Sequence, residues 1–176
     1  MTNYIIRKAL SGDAPRIAYV RITGWHQSYK GIIPDALLDK LDIDDDETRV
    51  RAAIEDITNK SLRFVVETEG VVTGIGACGP ARGGHDEKRA AVYAIYLLDE
   101  TKGRGIGSAF MRHMAGALAE AGYESLEVGV LEKNETARKF YEKLGGKLKG
   151  NGIFSYEGFD LPDVTYFWDD IRVLMP

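Results

Sequence analysis

The sequence predicts a mixed α/β (α+β) fold: a central mixed, mostly antiparallel sheet of about six to seven strands, flanked by about four helices, with one parallel β-α-β crossover. Three observations carry that expectation. Leu62 to Glu67 and Val71 to Cys78, joined across Thr68-Glu69-Gly70, read as an antiparallel hairpin of mostly buried strands. After the apolar and aromatic run Ala90 to Leu98 the hydrophobic period changes from two to about 3.6, the mark of a strand followed by an amphipathic helix. Leu126 to Leu131 returns to a short apolar strand, so strand, helix and strand form a parallel crossover, right-handed by the usual rule.

The other elements follow in order. Residues 4 to 9 alternate enough for a first strand, and Ser11-Gly12-Asp13-Ala14-Pro15 supplies an N-cap and an early proline for a helix running towards Trp25. Pro34 opens a second helix, Asp35 to Leu41, and a third spans Thr48 to Ile57. The cluster Asp42, Asp44, Asp45, Asp46, Glu47 reads as the solvated acidic start of that third helix, since negative charge suits a helix N-terminus. The competing reading is an acidic mouth that attracts a cationic amine. A turn rich in glycine and charge, Pro80 to Lys88, leads into the strand Ala90 to Leu98. In the helix that follows, Ile106, Ala109, Phe110, Met114, Ala117, Leu118 and Ala121 share one face, and Gly122 ends it. Asn134 to Leu144 forms the last helix, stopped by Gly145-Gly146. Lys147 to Met175 reads as two strands around the loop Glu157 to Asp163, the clearer being Val164 to Trp168.

Composition narrows the function. With 176 residues, 44% hydrophobic and 28% charged, the chain fits one domain over 1–176 with a substantial core. No apolar run approaches the roughly 20 residues that cross a bilayer, and Met1-Thr2-Asn3-Tyr4 lacks the pattern of a signal peptide, so a cytoplasmic protein without a membrane partner is expected. A net charge of −4 argues against a nucleic-acid partner. The single cysteine, Cys78, excludes an internal disulfide, and three scattered histidines show no metal-ligand spacing, so no metal is expected.

The segment Lys102-Gly103-Arg104-Gly105-Ile106-Gly107-Ser108 lies between a strand and an amphipathic helix. Glycines there let the backbone bring several N–H groups to one point, and the helix N-terminus adds partial positive charge, so a phosphate or pyrophosphate is the natural guest. Lys102 and Arg104 add charge pairing. No Gly-Lys-Ser/Thr follows, which excludes a Walker loop, and Ser108 or Phe110 occupies the third glycine position of a dinucleotide fingerprint. Downstream, Ala137, Phe140, Tyr141 and Leu144 follow helical spacing behind Asn134, itself an ordinary N-cap type.

Tyr93-Ala94-Ile95-Tyr96-Leu97 followed by Lys102 to Gly107 resembles the coenzyme A motif of the GNAT (Gcn5-related N-acetyltransferase) superfamily, Gln/Arg-x-x-Gly-x-Gly/Ala, with Lys102 in place of the usual Gln or Arg. Asn134 to Gly145 resembles that family's second motif, Asn-x-x-Ala-x-x-Phe-Tyr-x-x-x-Gly, position for position. The resemblance implies a GNAT-like twisted sheet and an acetyl-CoA-dependent N-acetyltransferase. The acceptor would be a primary amine on a small molecule, peptide or protein, and a homodimer is compatible with the family. It implies that Ile95, Tyr96 and Leu97 bind the pantetheine arm and that Gly103 to Ser108 hold the pyrophosphate. Asn134 would contact cofactor, and Tyr141 would act as the acid that protonates the departing thiolate. A phenol with pKa near about 10 beside a thiol near about 8.5 suits that role. The alternative is a non-catalytic acyl-CoA-binding regulatory module of the same fold.

The general base does not carry over. Places where many family members hold a glutamate correspond here to Ala91 and Gly129. Glu127, two residues before Gly129 and on the same sheet face, is one candidate; His26, Tyr93 acting through water, and a water chain are others. Trp25 and Tyr29, four apart on one helical face within Trp25-His26-Gln27-Ser28-Tyr29-Lys30-Gly31-Ile32-Ile33-Pro34, are candidates for the acceptor pocket, with Tyr93. A packed aromatic pair is the other reading of Trp25 and Tyr29.

Overall fold

The computed structural model describes residues 3–83 and 86–175. Seven strands form one sheet: β1 Tyr4–Lys8, β2 Leu62–Thr68, β3 Val71–Pro80, β4 Arg89–Leu97, β5 Ser125–Leu131, β6 Lys147–Tyr156 and β7 Phe159–Trp168. Five helices pack around it: α1 Ala14–Tyr29, α2 Asp35–Leu38, α3 Ile43–Glu55, α4 Ile106–Glu120 and α5 Glu135–Lys143. The strand order is β1-β2-β3-β4-β5-β7-β6, and every neighbouring pair is antiparallel except β4 and β5, which α4 connects.

One face of the sheet lies under α4 and α5. Its core joins Phe64, Cys78, Val92, Val128 and Val164 of the strands to Phe110, Met111, Met114 and Leu118 of α4. The approach is close: a Cβ on Gly76 of β3 would stand 2.7 Å from the Met114 sulfur, so only glycine lets the helix sit this near the strand. On the other face, Ile17 and Val20 of α1 pack on Val65, Val72 and Ile75. A third cluster, Trp25, Ile33, Leu37, Leu131 and Leu161, joins the end of α1 and the one-turn α2 to β5 and β7.

Several expected boundaries move for physical reasons. Helix α1 continues beyond Trp25 to Tyr29, where the ring meets Tyr96 and Trp25. Helix α3 begins at Ile43, with the Asp42 carboxylate accepting from the Asp45 amide, so the acidic cluster is its N-cap and first turn. Asp46, expected to be solvated, is buried beneath Arg21 with their charged groups 2.7 Å apart. The expected loop Glu157 to Asp163 shrinks to Glu157-Gly158, both with positive φ, a two-residue hairpin turn. Pro162 is tolerated within β7 because its carbonyl accepts from Glu132 on the β5 side, the side from which its N–H is missing. Gly84 and His85 of the expected turn Pro80 to Lys88 lie outside the described residues. Among the described residues no helix is long and apolar enough to cross a membrane, and no group of three potential metal ligands occurs.

Candidate active site

Strands β4 and β5 are paired only from Arg89/Ser125 to Val92/Val128. Beyond that point β4 stays with β3 and β5 stays with β7, so the parallel pair opens into a cleft between Tyr93–Leu97 and Gly129–Leu131. The parting begins beside a register shift at Ala77/Cys78 of β3, which leaves Tyr93 as the extra residue of a bulge. Bulges re-aim side chains, and here the Tyr93 hydroxyl turns back to donate to the Pro80 carbonyl. The two separated edges leave backbone N–H and C=O groups without a ladder partner, the arrangement that accepts an extended amide-bearing arm.

At the far end of the cleft, Gly103 and Gly105 both adopt φ +76°, a left-handed conformation that favours glycine. No heavy atom lies within 4 Å of a Cβ placed on either, so the turn is an open concavity. The first helical bond of α4 runs from the Ala109 amide to the Gly105 carbonyl, which leaves the amides of Ile106, Gly107 and Ser108 directed at that concavity. Lys102 stands beside it with its ammonium 2.7 Å from Asp99. Arg104 is exposed next to the turn, and the Ile106 side chain is buried in the core, so its contribution to the cradle is its amide.

Together these features form one cleft of about 720 Å³, walled by the β4 edge, the Gly103–Ser108 turn, Asn134, Phe140 and Tyr141. Asn134 caps α5 by accepting from the Ala137 amide and still borders the cleft. Tyr141 is buried against Phe140, Tyr166 and Trp168. Burial, with Tyr96 nearby, pushes its phenol above the ordinary range, so it stays protonated at neutral pH. Tyr29 and Tyr96 share a hydroxyl–hydroxyl hydrogen bond of 3.2 Å at the cleft wall, and burial raises both of these phenols as well.

The other sequence candidates fall elsewhere. Trp25 is buried behind Tyr29, edge-on to its ring with centroids 5.2 Å apart, and at the same distance from Tyr156. Glu127 lies on the β5 face that carries Gly129 but faces Arg89 at 3.8 Å. His26 is exposed on α1 and borders no part of the cleft. Cys78 is buried under α4, and its thiol is pushed up to about 12 by desolvation.

One group the sequence did not expose is Asp163 on β7. Its register partners are Leu131 and Gly152. A Cβ on Gly129 would stand 3.4 Å from one carboxylate oxygen, and a Cβ on Gly152 would stand 2.6 Å from the other. Two glycines on flanking strands thus make room for a carboxylate beside Gly129, which itself borders the cleft. Desolvation raises its pKa above the ordinary aspartate value. The available signal was the absence of a side chain at Gly129 and Gly152, which becomes meaningful only once the strand register is known.

A sheet split between β4 and β5, with a glycine-lined anion cradle at one end and a buried phenol beside the gap, suits a thioester cofactor that carries a pyrophosphate on an extended amide-bearing arm. The open cradle, the free amides and the unpaired strand edges all fit that cofactor. The chain belongs to the acetyltransferase (GNAT) family, whose model it matches over residues 23–146. It is 30% identical to the uncharacterized N-acetyltransferase YuaI of Bacillus subtilis (strain 168) over 172 residues, 96% of this chain and 95% of that one. Among solved structures, yncA of Salmonella typhimurium with its cofactor acetyl-CoA superposes with a TM-score of 0.72 at 18% identity, covering 95% of this chain and 94% of that one. The PaiA N-acetyltransferase of Thermoplasma acidophilum in complex with coenzyme A gives 0.72 at 17%, covering 92% and 98%.

Proposed function

We propose that the chain acetylates a primary amine by direct attack on the bound thioester, with Asp163 as the base and Tyr141 as the acid. Acetyl-CoA supplies an activated acyl carbonyl and departs as the thiol. The amides of Ile106, Gly107 and Ser108, with Lys102, hold its pyrophosphate, and the β4 edge from Ile95 to Leu97 holds the arm. Arg104 adds long-range attraction for the phosphates. The acceptor enters from the face that carries Asp163, Gly129 and Trp25, beside Tyr29 and Tyr93.

An amine arrives as an ammonium and must lose a proton before its lone pair can attack. The Asp163 carboxylate takes that proton, and its raised pKa makes it a better base than an exposed aspartate. As the nitrogen–carbon bond forms and the carbon–sulfur bond breaks, the Tyr141 hydroxyl gives its proton to sulfur, and the second proton shed by the acylated nitrogen returns the phenolate to phenol by way of solvent. Among the candidates read from the sequence, Glu127 is engaged by Arg89 and His26 is exposed on α1; Asp163 is favoured because its carboxylate lies beside Gly129, which borders the cleft, and because desolvation raises its pKa.

The observation that carries this reading is the coincidence of the split, the cradle and Tyr141 in one cleft. The test is free-thiol release from acetyl-CoA across a panel of amines. Turnover on at least one amine is expected. Tight acetyl-CoA binding with no thiol release on any amine would assign the chain instead to a non-catalytic acyl-CoA-binding module.

A further inference from the structure

A second cavity, of about 550 Å³, lies between helices α1 and α3 and the surface of β2, β3 and β4. It meets the acetyl-CoA cleft at Tyr93 and Ala94, which border both. Its charge is lopsided. Arg21, Arg49, Lys60, Arg63 and Arg82 line it against a single carboxylate, Asp46, in a chain whose net charge is −4. Asp46 is already engaged, with Arg21 at 2.7 Å and Arg49 at 3.3 Å.

Arg63 has no such partner among the described residues. It sits on β2 opposite Ala77, on the face turned towards α1, with no carboxylate within ion-pairing distance and its Nε buried and unbonded. The Ser61 hydroxyl, two residues earlier at the same wall, is also buried and unbonded. Arg82 also lines the cavity, its guanidinium 4.7 Å above the Tyr93 ring. Leaving a buried donor unsatisfied costs about 1–3 kcal/mol, more for a charged group, so an arrangement of this kind is stable only where something anionic or aqueous completes it. Arginines fit carboxylate and phosphate oxygens two at a time.

We infer that this cavity is the anion subsite of the acceptor: it holds a carboxylate or phosphate carried by the same molecule whose amine enters the split beside Tyr93 and Ala94. The acceptor is therefore a small amine bearing an acid group, rather than a polycationic amine. This inference rests on the acetyltransferase reading for the amine end and on the cavity alone for the anion end. The adjoining cavities permit both ends of one molecule to bind at once. The excess of cations repels a second ammonium and so discriminates against polyamines.

Two measurements separate those supports. Inorganic phosphate and succinate are titrated into the protein without acetyl-CoA, by calorimetry and thermal shift. Saturable binding is expected, weakened at least about tenfold in Arg63→Gln and in Arg82→Gln, in line with loss of a bidentate charged hydrogen bond. Arg82 is exposed, so its variant tests the site without disturbing the core. No saturable binding, or equal binding by both variants and the parent, overturns the anion site whether or not any amine is acetylated. Turnover is then compared for matched pairs, an α-amino acid against its decarboxylated amine and phosphoethanolamine against ethanolamine. A kcat/KM preference for the anionic member that collapses towards one in Arg82→Gln supports the subsite, and the better pair tells carboxylate from phosphate. Equal kcat/KM within both pairs overturns its role in acceptor choice. Anion binding without turnover on any amine retains the anion site but overturns both its acceptor role and the acetyltransferase reading.

Discussion

At the scale of single residues, Tyr141 and Asp163 invite opposite tests. Replacing Tyr141 by Phe keeps the ring contacts with Tyr166 and Trp168 and removes only the proton, so kcat should fall about 10²-fold while affinity for acetyl-CoA stays the same. Equilibrium binding beside steady-state rates checks this. Asp163 works only when ionised, so kcat/KM should rise with pH through its pKa, which burial places above the usual aspartate value. In Asp163→Asn that acidic limb should vanish and the rate drop by about 10²-fold. The stability effect has the other sign. A carboxyl whose folded pKa is raised disfavours the fold wherever it is ionised, so the Asn variant should melt at the same temperature or higher at neutral pH. A variant that loses activity by melting early contradicts the assignment. Tyr141 was legible in the sequence because its motif is local. Asp163 was not, because Gly129 and Gly152 frame it from two different strands and only register brings them together.

At the scale of elements, the turn into α4 combines conformational demand with binding. Gly105→Ala forces a Cβ into a φ of +76°, at a cost of roughly 1–2 kcal/mol, and places a methyl group in the open cradle. Weaker acetyl-CoA binding, by about tenfold or more, should appear in calorimetry, with a melting temperature lower by about 2–8 °C. The crossover β4-α4-β5 and helix α5 were readable in advance because period, caps and glycine stops all agreed there. The turn between β6 and β7 was harder, since Pro162 and the acidic residues around it imitate a loop. What overrides them is pairing with β5 on one side and β6 on the other. Helix α3 was expected over Thr48 to Ile57 behind an acidic start; it begins earlier, at Ile43, because the Asp42 carboxylate caps it, and those acidic residues form its first turn.

At the scale of the whole molecule, α1 and α3 are joined to each other by the Arg21–Asp46 pair as well as by apolar packing, and Asp46 is only 3% exposed. Asp46→Ala leaves Arg21 without its counter-ion and adds to the cation excess around the second cavity. A loss of roughly 3 kcal/mol follows from breaking a buried pair, seen as a melting temperature lower by about 6–12 °C. Added phosphate should recover part of that loss if the cavity takes anions. The two chambers also constrain the order of events. Among the described residues they share Tyr93 and Ala94, and the one cysteine in the chain is buried beneath α4 and borders neither, so no cysteine stands beside the thioester to take up the acetyl group. Both substrates must be seated before anything is transferred. Initial-rate lines at several fixed amine concentrations should therefore intersect rather than run parallel, and thiol-blocking reagents should leave the rate untouched.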